Sequence, residues 1–230
     1  MPRFLITAGA TSVAIDSARK ITNLAKGKTG QSIGVEAAMR GHQVCLLTSN
    51  PHLAITQKNI ETILFDSFDD LLSLLEKETC KNIYDAIIMT AAVSDYSCHG
   101  IFHTPDFNTP VATSGNEKLS GGHRELWLRL KPLPKLIDQF RTMWNFKGTL
   151  VKFKLESNID EQKLLHLAEL SRQHSNADLM VANRVEDAAI KAWIGPINSS
   201  YQCVTRDNLP VILIDAIEKI WEAKQWQKSF

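Results

Sequence analysis

The sequence predicts a doubly wound α/β fold: a mostly parallel, Rossmann-like sheet with helices on both faces, a long flap loop and an edge-strand extension. Three observations carry that expectation. Short apolar runs recur along the chain, they alternate with segments of helical period, and glycine or small polar residues stand directly after several of the runs. Runs that are apolar at nearly every position, rather than at every second one, belong to strands covered on both faces.

The first strand, residues 4–7, opens into Ala8-Gly9-Ala10-Thr11. A basic stretch, residues 19–30, leads into a helix over residues 31–40, with Ile33 and Ala37 one turn apart and Gly41 as its left-handed stop. Strands follow at residues 44–48 and 62–65, and Ser67 with Asp70 makes a capping-box-like start for a helix carrying Leu71, Leu72, Leu74 and Leu75. After a strand at residues 86–90, residues 96–123 show no clear period and contain Pro105, Pro110, Gly115, Gly121 and Gly122. A segment that long without periodicity is expected to be functional or disordered. Leu126, Leu128 and Leu130 alternate with Trp127, Arg129 and Lys131, the pattern of a half-exposed edge strand, which Pro132 and Pro134 end. Two more strands, residues 150–155 and 179–182, bracket a helix from Glu161 to His174 with Leu164, Leu167, Ala168 and Ser171 on one face. A terminal helix over residues 211–226 aligns Leu213, Ile217, Ile220 and Lys224.

A chain of 230 residues, 44% hydrophobic and 22% charged, can bury one sizeable core, so a single domain over residues 1–230 is expected. The formal net charge of +1 argues against a nucleic-acid or anionic-membrane partner and leaves small molecules or other protein chains. The longest apolar runs, such as residues 86–89 and 212–214, fall far short of the roughly 20 residues a bilayer span needs. No apolar leader precedes the first strand, so a cytoplasmic protein is expected. Cys45, Cys80, Cys98 and Cys203 form no C-x-x-C pair and read as reduced thiols, with Cys45 a small core residue.

In open α/β sheets ligands collect at the carboxyl ends of the strands. Residues 8–11, 91–95, 156–158 and 183–184 offer small or polar groups there. The basic stretch before the first helix supplies glycines at a helix N-terminus, where free N–H groups suit an anion, with Lys26 and Lys28 adding charge. It nearly spells a Walker A loop, since Gly27-Lys28-Thr29 is right, but the required earlier glycine is Thr22 and the loop does not follow its strand directly. Gly9 likewise lacks the later glycines of a dinucleotide fingerprint, and no G-x-S-x-G elbow is present. Asp95, His99 and His103 have helix-like spacing that would permit metal ligation, although polar residues are ordinary in such a loop, and no metal ligand is assigned. Lys118, beside Gly121 and Gly122, suits a flap closing over a ligand.

Taken in order, these motifs resemble the phosphopantothenate-cysteine ligases (phosphopantothenoylcysteine synthetases) of coenzyme A biosynthesis, in monofunctional form. The resemblance covers most of the chain. It rests on Ile6-Thr7-Ala8-Gly9, Ile15-Asp16, Arg19, Ile21, Asn23, Gly27-Lys28 and Gly30, followed by Ala91-Ala92-Val93-Ser94-Asp95 and Lys118 with Ser120-Gly121-Gly122. Leu130-Lys131, Pro134-Lys135-Leu136, Phe153-Lys154-Leu155-Glu156 and Val181-Ala182-Asn183 complete the set. Ala25-Lys26 stands where the family usually has Ser-Ser, Ala10 where a glycine is common, and Ala14 where a proline precedes Ile-Asp.

The resemblance implies a two-step ligation in which the carboxylate of 4'-phosphopantothenate is activated by CTP or ATP as an acyl-nucleotidylate, and the amine of cysteine then displaces the nucleotide monophosphate. It implies Mg2+ with the triphosphate, no flavin, no nucleic-acid or membrane partner, and a homodimer whose residues 96–123 reach toward the neighbouring subunit. By resemblance Asn23, Lys118 and Arg19 carry catalysis, Gly9, Thr11, Ala91, Ala92, Asp95, Phe153 and Asn183 surround the nucleotide, and Lys26, Gly27, Lys28 and Gly30 hold phosphate or substrate. Two other readings remain at this stage: a nucleotide-binding regulatory protein of the same fold without turnover, and an NAD(P)-dependent reductase. The sequence does not choose CTP over ATP.

Overall fold

The computed structural model describes residues 1–53, 57–103, 106, 108, 110–112 and 118–228. In chain order the strands and helices are β1 (Arg3–Ala8), β2 (Ser12–Ala14), β3 (Lys20–Thr22), α1 (Lys28–Met39), β4 (Gln43–Thr48), β5 (Ile60–Leu64), α2 (Phe68–Cys80) and β6 (Ala86–Met89). They continue with β7 (Tyr96–Phe102), β8 (Pro110–Ala112), β9 (Trp127–Pro132), α3 (Leu136–Thr142), β10 (Thr149–Glu156), α4 (Glu161–His174), β11 (Leu179–Arg184), β12 (Lys191–Ile197), β13 (Ser200–Thr205) and α5 (Leu209–Lys228).

Eight strands form one sheet in the order β13-β12-β11-β10-β6-β1-β4-β5. The six strands from β11 to β5 run parallel, and β12 and β13 add antiparallel. From β1 the chain moves outward through β4 and β5, then returns to the other side of β1 as β6, which puts the topological switch between β1 and β6. Leu5 and Ile6, on opposite faces of β1, are both fully buried, which explains the continuous apolar run. Phe4, Ile6, Ile33, Leu213 and Ile217 make the core under α1 and α5. Leu5, Leu71, Leu75, Ile87 and Phe140 make the core under α2 and α3 on the other face, and Leu164, Ala168 and Trp193 fill the space beneath α4.

The doubly wound, mostly parallel sheet matches the predicted class, and local signals placed several elements closely. Glu161–His174 is the predicted helix to the residue. The Ser67 capping box is present: Ser67 Oγ accepts from the Asp70 N–H at 3.0 Å, and Asp70 Oδ2 accepts from the Ser67 N–H at 2.9 Å. Helix α1, in contrast, starts at Lys28 rather than at residue 31, because the left-handed Gly27 (φ +83°) turns the chain into the helix one turn earlier than the apolar spacing indicated.

Residues 96–123 are not simply a loop. Strand β7 begins there at Tyr96 and pairs with β9 and β8 in a separate three-stranded antiparallel sheet. The half-exposed strand expected around Leu126–Leu130 exists as β9, but it joins this small sheet, and the extension at the edge of the main sheet is the β12–β13 hairpin. Pro105, Gly115, Asn116 and Glu117 of the expected flap lie outside the described residues. Among the described residues no helix is long and apolar enough to cross a membrane.

Candidate active site

The end of β1 is shaped by close backbone approach. Gly9 has φ +90°, and a Cβ on Gly27 would stand 2.8 Å from the Gly9 nitrogen, so these two glycines let the entry of α1 pack directly on the turn after β1. Gly30, expected to touch phosphate, is buried inside the first turn of α1 instead, where a Cβ would meet Thr90 Oγ1 at 2.6 Å and Ala8 Cβ at 2.8 Å. Its side of the helix is a packing surface. The first turn of α1 holds no acidic residue and its N-terminus has no side-chain cap, so it keeps the positive end of the helix dipole and its orphan N–H donors.

Hydrogen bonds stitch the turn after β1 to the loop after β6. The Ala92 N–H donates to Gly9 O at 2.9 Å and the Thr11 N–H donates to Ala92 O at 3.2 Å. Thr11 Oγ1 accepts from the Ser94 N–H at 2.8 Å and donates to Ser94 Oγ at 2.9 Å. The predicted residues Gly9, Thr11, Ala91 and Ala92 therefore form one rigid ledge across the switch point.

Beside this ledge a cavity of about 760 Å3 crosses the carboxyl ends of β6, β10 and β11, within the size range of small-molecule sites. Ala91, Ala92, Asp95, Phe153 and Asn183, five of the residues expected around the nucleotide, line it together with Ala25 and Thr29 at the entry of α1. Phe153 also packs against the α1/α5 core, so its ring serves the interior as well as the cavity. Asp95 is ion-paired to Lys135 Nζ, and both side chains are more than half exposed at the rim.

Asn23, Arg19 and Lys118 are placed elsewhere. The Asn23 amide donates to Ala92 O at 3.3 Å, and Asn23 lines a smaller recess of about 200 Å3 with Ser94, Asp95, Tyr96 and Leu130. Arg19 does not line the cavity. Its Nε donates to Asp16 Oδ2 at 2.9 Å and its Nη2 to Leu119 O at 2.9 Å, which ties the turn joining β2 to β3 to the residue after Lys118. Burial pushes the Asp16 carboxyl up, but the N–H groups of Ala18, Arg19 and Leu119 and the Arg19 guanidinium outweigh it and hold the acid well below the usual carboxylate range. Arg19 is thus held in place by Asp16 and Leu119, and the exposed Lys118 stands beside the residue it holds. Lys26 and Lys28 are exposed flanks of the α1 entry, and the Lys26 carbonyl accepts from Asn50 Nδ2 at 3.1 Å.

Two cations in the cavity escaped the sequence reading. Lys152 lay hidden in an apolar run, yet its Nζ donates to Ser171 O at 3.1 Å and Ser175 Oγ at 2.5 Å, while Ser175 Oγ donates to Asp138 at 2.6 Å. Burial, reinforced by Lys154 and Lys135 against the pull of Asp138, lowers the Lys152 amine from its ordinary value. Arg206, directly after β13, belongs to no motif, yet its guanidinium donates to Thr29 Oγ1 and, at 3.3 Å, to Asn183 Oδ1. A reading of the sequence carries no signal for either.

Among the described residues no three His, Cys, Asp or Glu side chains gather as a metal group. The helix-like spacing of Asp95, His99 and His103 does not correspond to a helix, because Tyr96–Phe102 is strand β7; Asp95 pairs with Lys135 and the His103 ring lies 5.0 Å from that of His123.

Comparison with known proteins bears on the family and the fold. The family described as DNA/pantothenate metabolism flavoprotein C-terminal domain matches residues 2–198. The coenzyme A biosynthesis bifunctional protein CoaBC of Thermococcus kodakarensis is 34% identical over 188 residues, which cover 80% of this chain and 41% of that protein. The chain thus spans about two fifths of the length of this curated relative. The DNA/pantothenate metabolism flavoprotein from Streptococcus pneumoniae superposes with TM-score 0.83 at 27% identity, covering 96% of this chain and 100% of that one. A Cab2 variant solved in complex with phosphopantothenate-cysteine shares the fold with TM-score 0.75 at 16% identity, over 97% of this chain and 88% of that one.

Proposed function

Because the chain belongs to the DNA/pantothenate metabolism flavoprotein C-terminal domain family, we propose that it ligates 4'-phosphopantothenate to cysteine through an acyl-nucleotidylate. In the first half-reaction a carboxylate oxygen of phosphopantothenate attacks the α-phosphorus of CTP or ATP, the bridging Pα–O bond breaks, and pyrophosphate leaves with the bonding pair. In the second, the free amine of cysteine attacks the acyl carbon, nucleotide monophosphate leaves, and the ammonium proton is lost to solvent. A flavin has no part in either step.

The observation that carries this reading is Ala92, which lines the large cavity and also accepts the Asn23 amide, so the nucleotide space and the recess beside Asn23 meet at one backbone group. Helix α1 offers the triphosphate its N-terminus, the ledge from Gly9 to Thr11 and Ala91 to Asp95 bounds the nucleotide, and Asn23 faces the acyl phosphate. Lys118 supplies charge at the α-phosphate from the segment that Arg19 anchors. Magnesium belongs to the substrate: a divalent ion carried on the phosphates and completed by water needs no cage of protein carboxylates, and it neutralises the departing pyrophosphate.

The reading includes a homodimer in which residues 96–123 reach toward the second subunit; a monomer by light scattering at micromolar concentration would remove that part. The test of the whole is pyrophosphate release with CTP and with ATP, in the presence and absence of phosphopantothenate and cysteine. Release that requires phosphopantothenate supports the ligase, and the faster nucleotide identifies the co-substrate. Nucleotide binding without release under any of these conditions would favour a regulatory protein of the same fold.

A further inference from the structure

We propose that Arg206 is an anion-binding residue of this site, holding the β,γ-phosphates of the nucleotide and the pyrophosphate they become. The proposal rests on the ligase reading above and adds to it a residue outside residues 2–198, the stretch that the family match covers.

The argument is one of missing counter-charge. Arg19, Arg40, Arg141, Arg172 and Arg184 each meet a carboxylate at 2.5 to 2.8 Å. Arg206 is half-buried, as Arg40, Arg141, Arg172 and Arg184 are, yet among the described residues it makes no ion pair with a carboxylate. Its two side-chain partners are neutral oxygens, Thr29 Oγ1 and Asn183 Oδ1, and both residues line the cavity. Burial alone pushes its guanidinium below the ordinary value. A desolvated cation without a counter-ion is costly, so one that persists at the wall of a cavity awaits an anion from outside the chain.

What surrounds Arg206 narrows the anion. Thr29 is the second residue of α1, whose first turn carries no acidic side chain and no cap. Two positive features of different origin, a helix N-terminus and a planar guanidinium, therefore converge on one wall, a pairing suited to a polyanion with several oxygens rather than to a single carboxylate. When the carboxylate attacks the α-phosphorus and the Pα–O bond to the β-phosphate breaks, negative charge accumulates on the leaving pyrophosphate, and Arg206 is placed to take it up. The single phosphate of phosphopantothenate offers similar chemistry, so the experiment must tell these two sources apart.

The experiment measures binding of inorganic pyrophosphate with Mg2+ by calorimetry, and separate KM values for nucleotide and for phosphopantothenate, in the wild type, Arg206→Gln, Arg206→Lys and Thr29→Val. Arg206→Gln should weaken pyrophosphate binding and raise the nucleotide KM about 10- to 100-fold, the worth of a charge-assisted hydrogen bond, and leave the phosphopantothenate KM within about twofold. Arg206→Lys should recover part of the loss, since a point charge replaces a fork. Thr29→Val, which frees the guanidinium from its neutral partner, should shift pyrophosphate affinity in the same direction by less. Unchanged pyrophosphate affinity in a folded Arg206 variant overturns the proposal, as does a KM increase confined to phosphopantothenate. Should Arg206→Gln not fold, Arg206→Lys and Thr29→Val decide the matter, and affinities unchanged in both would overturn it. If the wild type releases no pyrophosphate with either nucleotide the ligase reading fails, but the pyrophosphate-binding comparison still decides the role of Arg206.

Discussion

The two ends of the central sheet treat charge differently. At the amino ends of the strands Glu78 and Asp178 are each answered by a cation. Glu78, almost fully buried, accepts from Lys81 Nζ at 2.7 and 2.8 Å and from the Tyr84 hydroxyl at 2.6 Å. Asp178 takes Arg141 Nη2 at 2.7 Å and Lys224 Nζ at 3.3 Å, while Asp85 is met by the neutral Arg3 N–H at 2.9 Å and Trp221 Nε1 at 3.0 Å. At the carboxyl ends Lys135 and Arg184 pair with Asp95 and Asp187, but Arg206, Lys152 and the first turn of α1 are met directly only by neutral atoms or by nothing from a side chain. On the ligase reading, the cations met only by neutral atoms at the carboxyl ends are held for a ligand, whereas the ion pairs at the amino ends hold the fold. Substitutions at the two ends should therefore separate stability from activity.

The largest effect is expected at the carboxyl ends. Asn23→Ala removes a donor beside the ledge and should slow formation of the acyl-nucleotidylate about 100- to 1000-fold, with a melting temperature close to that of the wild type. Rapid-quench measurement of the intermediate checks this, and an unchanged rate would take Asn23 out of the machinery. Next comes Glu78→Leu at the amino ends. It strands the Tyr84 hydroxyl and the half-exposed Lys81, and should cost about 2 to 3 kcal/mol in a denaturant titration while leaving both KM values alone. A change in KM larger than twofold would break the separation of the two ends. Smaller still, Ser67→Ala deletes the α2 cap and should cost about 1 kcal/mol, again without a kinetic effect.

The amino ends of the sheet were partly legible in the sequence, the carboxyl ends less so. Strands buried on both faces announce themselves as apolar runs, which is why β1, β4, β6, β10 and β11 were found, and Ser67 with Asp70 is a local signal that needs no tertiary information. The β12–β13 hairpin was missed because its run is interrupted by Gly195 and Pro196 and half of β13 faces solvent. The β2–β3 pair, three residues each, exists through tertiary contact and has no period to read. At the site, the residues that family order singled out are placed differently: Ala91, Ala92, Asp95, Phe153 and Asn183 line one cavity, Gly30 packs against Thr90 and Ala8, and Arg19 is held by Asp16 and Leu119 O. Arg206 was beyond reach: its partner Thr29 is 177 residues away, and only the return of β13 toward α1 brings them together.

The smallest expected effect tests whether the two ends communicate along that hairpin. Glu169 on α4 accepts from Arg172 at 2.7 and 2.9 Å, from Gln173 at 2.7 Å and from the Tyr201 hydroxyl on β13 at 3.0 Å. The Arg172 guanidinium, helped by Gln173 and Tyr201 and opposed by burial, lowers its carboxyl from 4.5 to about 2. A depressed acid stabilises the fold above its unfolded value, and that contribution fades as pH falls from 4.5 toward about 2. The melting temperature of the wild type should therefore exceed that of Glu169→Gln by a constant margin at neutral pH, and the margin should shrink steadily below about pH 4.5. Because Tyr201 and Arg206 stand at opposite ends of β13, the pyrophosphate affinity of Glu169→Gln at neutral pH should equal that of the wild type. A weakened affinity would mean that the ion pairs which brace β13 also set the position of Arg206, and that the division of charge between the two ends of the sheet is not independent.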